Sequence, residues 1–233
     1  MDQVLAGRNV VVTGGAGALG RAVVARLVQA GATCHVPAQE SGGVIIAGAG
    51  ENVRIVYGVE LGDEFSVQRF YDTVPALWAS VHIAGGFAMA PLSETSRTDF
   101  MAQFEMNALT AFLCSRAAVR GMRATGHGGR IVNVAARPGL DPRKGAGMVA
   151  YTTSKAAVVA ITQALAEELK GERILVNAIA PSTLDTPGNR AAMPDADASK
   201  WLSPTAAAEA ILALIAPSNT EISGAVLPLY ARA

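Results

Sequence analysis

The sequence predicts one α/β domain, a doubly wound parallel sheet with helices on both faces. Three observations point to it. Short apolar runs alternate with segments of helical periodicity along the chain. The runs are continuously apolar, as strands buried on both faces are. The first run leads straight into a glycine-rich turn, Thr13-Gly14-Gly15-Ala16-Gly17-Ala18-Leu19-Gly20, that opens a helix. A chain of 233 residues, 51% hydrophobic and 16% charged, suits one such domain and would be crowded with two.

Asn9–Thr13 reads as a buried strand and Gly17–Ala30 as a helix closed by Gly31. Thr33–Val36 is the second strand, stopped by Pro37. Glu40 to Asn52 carries four glycines around Val44-Ile45-Ile46, so the usual crossover helix is expected to be short or absent. Val53–Val59 is strand three, Asp63–Thr73 a helix, and Ala79–Ala84 strand four, closed by Gly85-Gly86. A long helix is expected over Arg97–Arg123, strand five over Gly129–Ala135, and a second long helix over Val149–Lys170. Arg173–Ile179 is strand six, Ser203–Ile215 a late helix, and Ala225–Leu229 the last strand. Gly14, Gly85, Ala135 and Ala180 fall at strand-to-loop junctions, on the carboxyl edge where ligands bind in such sheets.

Composition narrows the function classes. Lysines and arginines balance aspartates and glutamates, 19 against 19, so no basic field invites nucleic acid. The apolar runs are too short or too interrupted to span a bilayer, and Met1-Asp2-Gln3 has none of the features of a signal peptide. Cys34 and Cys114 read as buried free thiols, and a reducing cytoplasm is the expected compartment. His35, His82 and His127 are dispersed, and no metal site is expected. His82 lies near the expected cleft, as a satisfied polar group or as a ligand contact.

Two features carry chemistry. The glycine turn lets the backbone approach a pyrophosphate, at a helix N-terminus with free N–H groups and the positive end of the dipole. The second is Tyr151 and Lys155, four residues apart and therefore on one helical face. A lysine ammonium near a phenol favours phenolate and lowers the tyrosine pKa from ~10 toward the working pH. That suits a proton donor for carbonyl or imine reduction.

With these two motifs in register, the chain resembles the short-chain dehydrogenase/reductase family. Other landmarks follow in order: His82-Ile83-Ala84-Gly85 after strand four, Glu60 near the adenine acid, Met106-Asn107 in the long helix, Arg130-Ile131-Val132-Asn133-Val134, and Val176-Asn177-Ala178-Ile179-Ala180-Pro181. The resemblance implies a single NAD(P)-binding Rossmann domain over residues 1–233 and NAD(P)H as cofactor. It assigns Tyr151 as proton donor, Lys155 as the group that lowers its pKa and bonds the nicotinamide ribose, and Asn107 as support for a water near Lys155. Gly14, Ala16, Ala18, Leu19, Gly20, Ala38, Glu60, Ala84, Gly85, Pro181, Leu184 and Thr186 would hold the cofactor beside Tyr151 and Lys155. The two long helices would pair with another subunit in a homodimer or homotetramer.

Departures from the family pattern are as informative. The strand-five serine that usually bonds the substrate oxygen is replaced by Ala135-Ala136, followed by Arg137. Alanine offers no hydroxyl. The loop from there to Tyr151 carries Arg137, Asp141, Arg143 and Lys144, as substrate contacts or as a solvated face. Val36-Pro37-Ala38-Gln39 ends strand two with neither the acid of NAD-preferring members nor a basic residue for a 2′-phosphate; Glu40 comes two places late. The lean is toward NADH. Thr183 through Trp201, an expected substrate flap over about 183–202, resembles the dihydropteridine reductase branch, which also lacks the serine. Phe87 and Trp201 either close over a planar ring or simply pack.

A fixed donor to a developing oxyanion is worth ~3 kcal/mol, and a conjugated, quinonoid ring spreads that charge and needs it less. The sequence therefore leads to hydride transfer to a small conjugated or carbonyl substrate, with a quinonoid dihydropterin as one candidate. The alternative is a degenerate member that binds nucleotide or a partner without turnover.

Overall fold

A computed structural model describes residues 3–39 and 50–232. Residues 40–49, with Glu40 and most of the glycine-rich stretch expected to replace a crossover helix, lie outside the described residues.

Seven strands form one parallel sheet: β1 (Asn9–Thr13), β2 (Thr33–Ala38), β3 (Val53–Tyr57), β4 (Leu77–His82), β5 (Gly129–Val134), β6 (Ile174–Pro181) and β7 (Val226–Leu229). Their spatial order is β3-β2-β1-β4-β5-β6-β7. The order reverses between β1 and β4, which opens a crevice at their carboxyl ends. This is the doubly wound Rossmann arrangement expected from the sequence.

Strand geometry sends neighbouring residues to opposite faces. Val10 and Val12 join the core under α1 (Ala18–Gln29) and α8 (Pro204–Ile215), while Val11 joins the core under α2 (Glu64–Asp72), α4 (Thr110–Thr125) and α6 (Val149–Leu169). Each of these fully buried valines contributes about 2 kcal/mol of burial free energy. The continuous apolar run is thus what a sheet covered on both sides requires.

Several boundaries differ from expectation. β2 continues through Pro37, which pairs with Val56 of β3. β1 pairs with β2 only as far as Val11 and His35, so Pro37 lies beyond that ladder and its missing N–H breaks none of its bonds. β3 ends at Tyr57. β4 starts and ends two residues early, leaving Ala84 and Gly85 in the loop above it. The helix expected over Arg97–Arg123 is interrupted. α3 (Arg97–Phe104), held at its start by a Ser96–Asp99 capping box, passes through a π-helical turn at Glu105–Leu109 into α4. Two short helices were not foreseen, α5 (Arg137–Leu140) and α7 (Pro187–Ala192), both with a proline in the first turn. No described helix is long and apolar enough to cross a membrane.

Candidate active site

The site is built at the carboxyl edge around the crevice. Gly14 leaves β1 with φ +66, and a Cβ there would sit 2.8 Å from the Ala84 nitrogen. Gly20 is closer still, since its Cβ would fall 2.1 Å from the Gly14 carbonyl oxygen. Only hydrogen fits at either place, so backbone meets backbone. Thr13 ties the two loops together, its Oγ1 accepting from the N–H groups of Ile83 at 3.1 Å and Ala84 at 3.2 Å. Gly17 precedes α1 with no side-chain cap, which leaves the first-turn N–H groups of this 12-residue helix without a side-chain acceptor. Ala16, Ala18 and the largely buried Leu19 complete the turn. This cradle fits a dinucleotide pyrophosphate.

Ala38, an expected adenosine contact, ends β2, and the Gln39 amide donates to Glu60 Oε2 at 2.6 Å. Glu60 Oε1 also accepts from the Gly62 N–H at 3.2 Å.

The candidate reacting residues, Tyr151 and Lys155, lie on α6. Lys155 is buried and its Nζ donates to the Val134 carbonyl at 2.8 Å, with the ammonium 6.0 Å from the Tyr151 ring centre. The Phe87 ring meets that of Tyr151 edge-on, 4.9 Å between centres. Burial pulls Lys155 down to about 8 and pushes Tyr151 up to about 12. The expected lowering of the tyrosine pKa by the lysine is therefore reversed here. The desolvation of the phenol outweighs an ammonium that is turned toward a strand carbonyl.

Asn107 sits in the π turn, fully engaged. Its Oδ1 accepts from the Gly86 N–H at 3.1 Å; its Nδ2 reaches the carbonyls of Gly86 and Gln103, each at 3.0 Å, and Ser154 Oγ at 3.2 Å. Ser154 in turn donates to the Tyr151 carbonyl at 2.8 Å. A Cβ on Gly85 would lie 2.4 Å from Asn107 Oδ1. Asn107 thus locks the Gly85–Phe87 loop onto the helix that carries Tyr151. Ser154 as the link had no signal in the sequence beyond its place between the two reacting residues.

Ala136 is buried at the end of β5, and Arg137 starts α5 beside it. Pro181 ends β6. Leu184 bridges to Leu202, and Asp185 N–H donates to the Leu202 carbonyl, so the segment 183–202 is closed at its base. Thr186 caps α7, its Oγ1 accepting from the Asn189 N–H at 3.2 Å. Trp201 stands half-buried just before that closure.

His82 is a satisfied polar group. Its Nδ1 lies 2.8 Å from Asn133 Oδ1 and its Nε2 2.8 Å from Ser80 Oγ, with the Tyr71 hydroxyl at 3.3 Å. Asn133 continues the chain of bonds to Thr162 of α6 at 2.9 Å. Cys34 and Cys114 are buried free thiols.

The sequence matches the family described as short chain dehydrogenase over residues 8–197. The chain belongs to the short-chain dehydrogenase family. Members are NAD(P)-dependent oxidoreductases, and this chain is such an enzyme. It is 32% identical over 203 residues to a short-chain type dehydrogenase/reductase of Picea abies, covering 78% of this chain and 72% of that one. It is 31% identical over 189 residues to the NAD(+)-dependent 2-dehydro-3-deoxy-L-rhamnonate dehydrogenase of a Sphingomonas strain, covering 78% and 74%. Among solved structures, one from Beutenbergia cavernae, provisionally assigned as an NAD(P)-dependent gluconate 5-dehydrogenase and holding NADP at low occupancy, superposes with a TM-score of 0.87. It is 29% identical, and the match covers 98% of this chain and 97% of that one.

Proposed function

We propose that this short-chain dehydrogenase is an NADH-preferring reductase of a small conjugated or carbonyl substrate, with a quinonoid dihydropterin as the first candidate to try. The observation that carries the reading is the Tyr151–Lys155 pair on α6, with Tyr151 half-buried and Lys155 buried, together with a buried Ala136 after β5 that has no hydroxyl. The bound nicotinamide would supply the hydride. Gly14, Ala16, Ala18, Leu19 and Gly20 hold its pyrophosphate, Ala38 and Glu60 its adenosine, and Ala84, Gly85, Pro181, Leu184 and Thr186 the nicotinamide side.

Tyr151, kept protonated by burial, donates its proton to the reduced substrate. A phenol held as an acid through the neutral range suits reduction better than alcohol oxidation. Lys155 bonds the nicotinamide ribose. Asn107 positions both through Gly86 and Ser154. Phe87, Ala136, Arg137 and Trp201 face the substrate, with 183–202 as a flap over it.

The cofactor preference rests on charge. No lysine or arginine occurs between Arg26 and Arg54, and the Glu60 carboxylate on Gln39 repels a 2′-phosphate. Met106, Phe112 and Val149, each 43% exposed, supply an apolar face for a homodimer or homotetramer through α4 and α6. The two free thiols support a reducing, cytoplasmic setting.

The test is titration with NADH and NADPH followed by tryptophan fluorescence, then turnover of quinonoid dihydropterin by wild type and Tyr151→Phe. Saturable binding, tighter for NADH, is expected. No saturable binding of either cofactor would sink the reductase reading. Equal rates in the two proteins would remove Tyr151 as proton donor.

A further inference from the structure

We propose that Arg137 is the anchor for an anionic group on the substrate, so that the reductase acts on a carbonyl or conjugated compound bearing a carboxylate. The inference rests on the reductase reading and narrows it, since a dihydropterin then qualifies only where it bears an acidic side chain.

Arg137 begins α5 immediately after Ala136, the place where a hydroxyl donor is missing. α5 is pressed against the reacting helix: a Cβ on Gly139 would lie 2.6 Å from the Lys155 carbonyl carbon. Asp141 follows one helical turn after Arg137 and is its natural partner. That carboxylate is taken instead by Arg143, with contacts of 2.9 and 3.4 Å. Arg137 turns the other way, and its guanidinium stands 4.7 Å over the ring of Tyr230. The two residues extend from the ends of β5 and β7 and straddle the end of β6, where Ser182 donates through N–H to Leu229 and through Oγ to Tyr230. Ser182 leads directly into the segment 183–202.

The half-buried guanidinium thus sits between Ala136 and the root of the proposed flap. Among the described residues it has no acidic partner and no hydrogen bond to protein. The flap cations are matched, Arg190 to Asp185 and Lys200 to Asp197. Stacking on an aromatic ring fixes the plane of a guanidinium and leaves its N–H fork open at the edge. That fork fits a carboxylate bidentately. Phe87 and Met89, 59% and 62% exposed on the loop that packs on Tyr151, supply an apolar wall for the rest of the molecule.

The experiment uses paired probes, benzoylformate and phenylpyruvate against their methyl esters, titrated into the full-length protein saturated with NADH. The wild type is expected to bind the acids about 10- to 100-fold tighter than the esters. Arg137→Met should bring that ratio to about one, Arg137→Lys should keep part of it, and Tyr230→Leu should lower it by a smaller factor. NADH affinity and thermal melting check that each variant is folded; where Arg137→Met fails that check, the lysine and Tyr230 variants decide. The proposal is overturned if NADH binds while the wild type shows no preference for the acids, or if folded Arg137→Met retains it. Failure of NADH and NADPH to bind at all would instead sink the reductase reading beneath it.

Discussion

The two halves of the crevice are made of different materials. On the side proposed for the nucleotide, Gly14 and Gly20 pack backbone against backbone, and neighbouring main chain leaves no room there for a carbon. On the proposed reacting side the surface is side chains, with Tyr151 against Phe87, Arg137 over Tyr230 and Lys155 tied to the Val134 carbonyl. A backbone cradle suits what all members would share, the cofactor. A side-chain wall can change one residue at a time, and in this chain it presents a methyl at Ala136 with Arg137 next to it.

Changing each half separately tests this contrast. The largest effect is expected at Tyr151, the proposed proton donor. Tyr151→Phe should lower kcat by roughly 100- to 10,000-fold while leaving NADH affinity within a few-fold, measured by steady-state kinetics and titration. A parallel loss of NADH binding would mean that the two halves are not separable.

His82 stands at the seam between them, tied to Asn133 and through it to α6. Burial takes its pKa from 6.5 to about 4. The folded pKa lies below the unfolded one, so the unfolded chain takes up the proton first as pH falls. Stability is complete above pH 6.5 and declines between there and about 4, by up to about 3 kcal/mol. Denaturant melts at pH 7 and 4.5 should show this loss, and His82→Asn should reduce it. An unchanged acid slope in His82→Asn would place the sensitivity elsewhere, with the buried His35 as the next group to test.

Restoring the missing donor is the third test. Ala136→Ser should raise turnover of simple ketones by up to roughly 100-fold, the worth of one placed donor, with little effect on a conjugated substrate. Equal gains on both would remove the link between the alanine and substrate class. On the nucleotide side, Gly20→Ala should cost about 1–3 kcal/mol of stability and weaken NADH binding, because the added carbon meets the Gly14 carbonyl. Thermal melting and NADH titration read both. The smallest effect is in pH. Lys155 carries its charge below about 8 and loses it above, so NADH affinity should fall by roughly tenfold as pH rises through that value. A flat profile would mean that the ammonium does not hold the ribose.

The sequence and the tertiary structure settle different things. Strand and helix order, the glycine turn and the Tyr151–Lys155 spacing were legible because they depend on local periodicity and on residues that only one conformation suits. The break of the long helix at Glu105–Leu109 was not legible, since Asn107 has no unusual propensity until Gly86 and Ser154 approach it. Nor were the short helices at Arg137 and Pro187, which read as loops when their prolines are taken alone. The sign of the tyrosine shift reversed for the same reason, because a nearby lysine is visible in a sequence and the burial of a phenol is not. What the sequence determined by itself was the kind of fold and the family, and it supplied the candidates for the reacting groups, through pattern and chemistry carried by neighbours along the chain. What only the tertiary structure decided was which groups are desolvated, which are already engaged, and that Arg137 faces Tyr230 rather than Asp141. Those outcomes depend on contacts between residues far apart in the chain, where desolvation and competition for partners outweigh local preference.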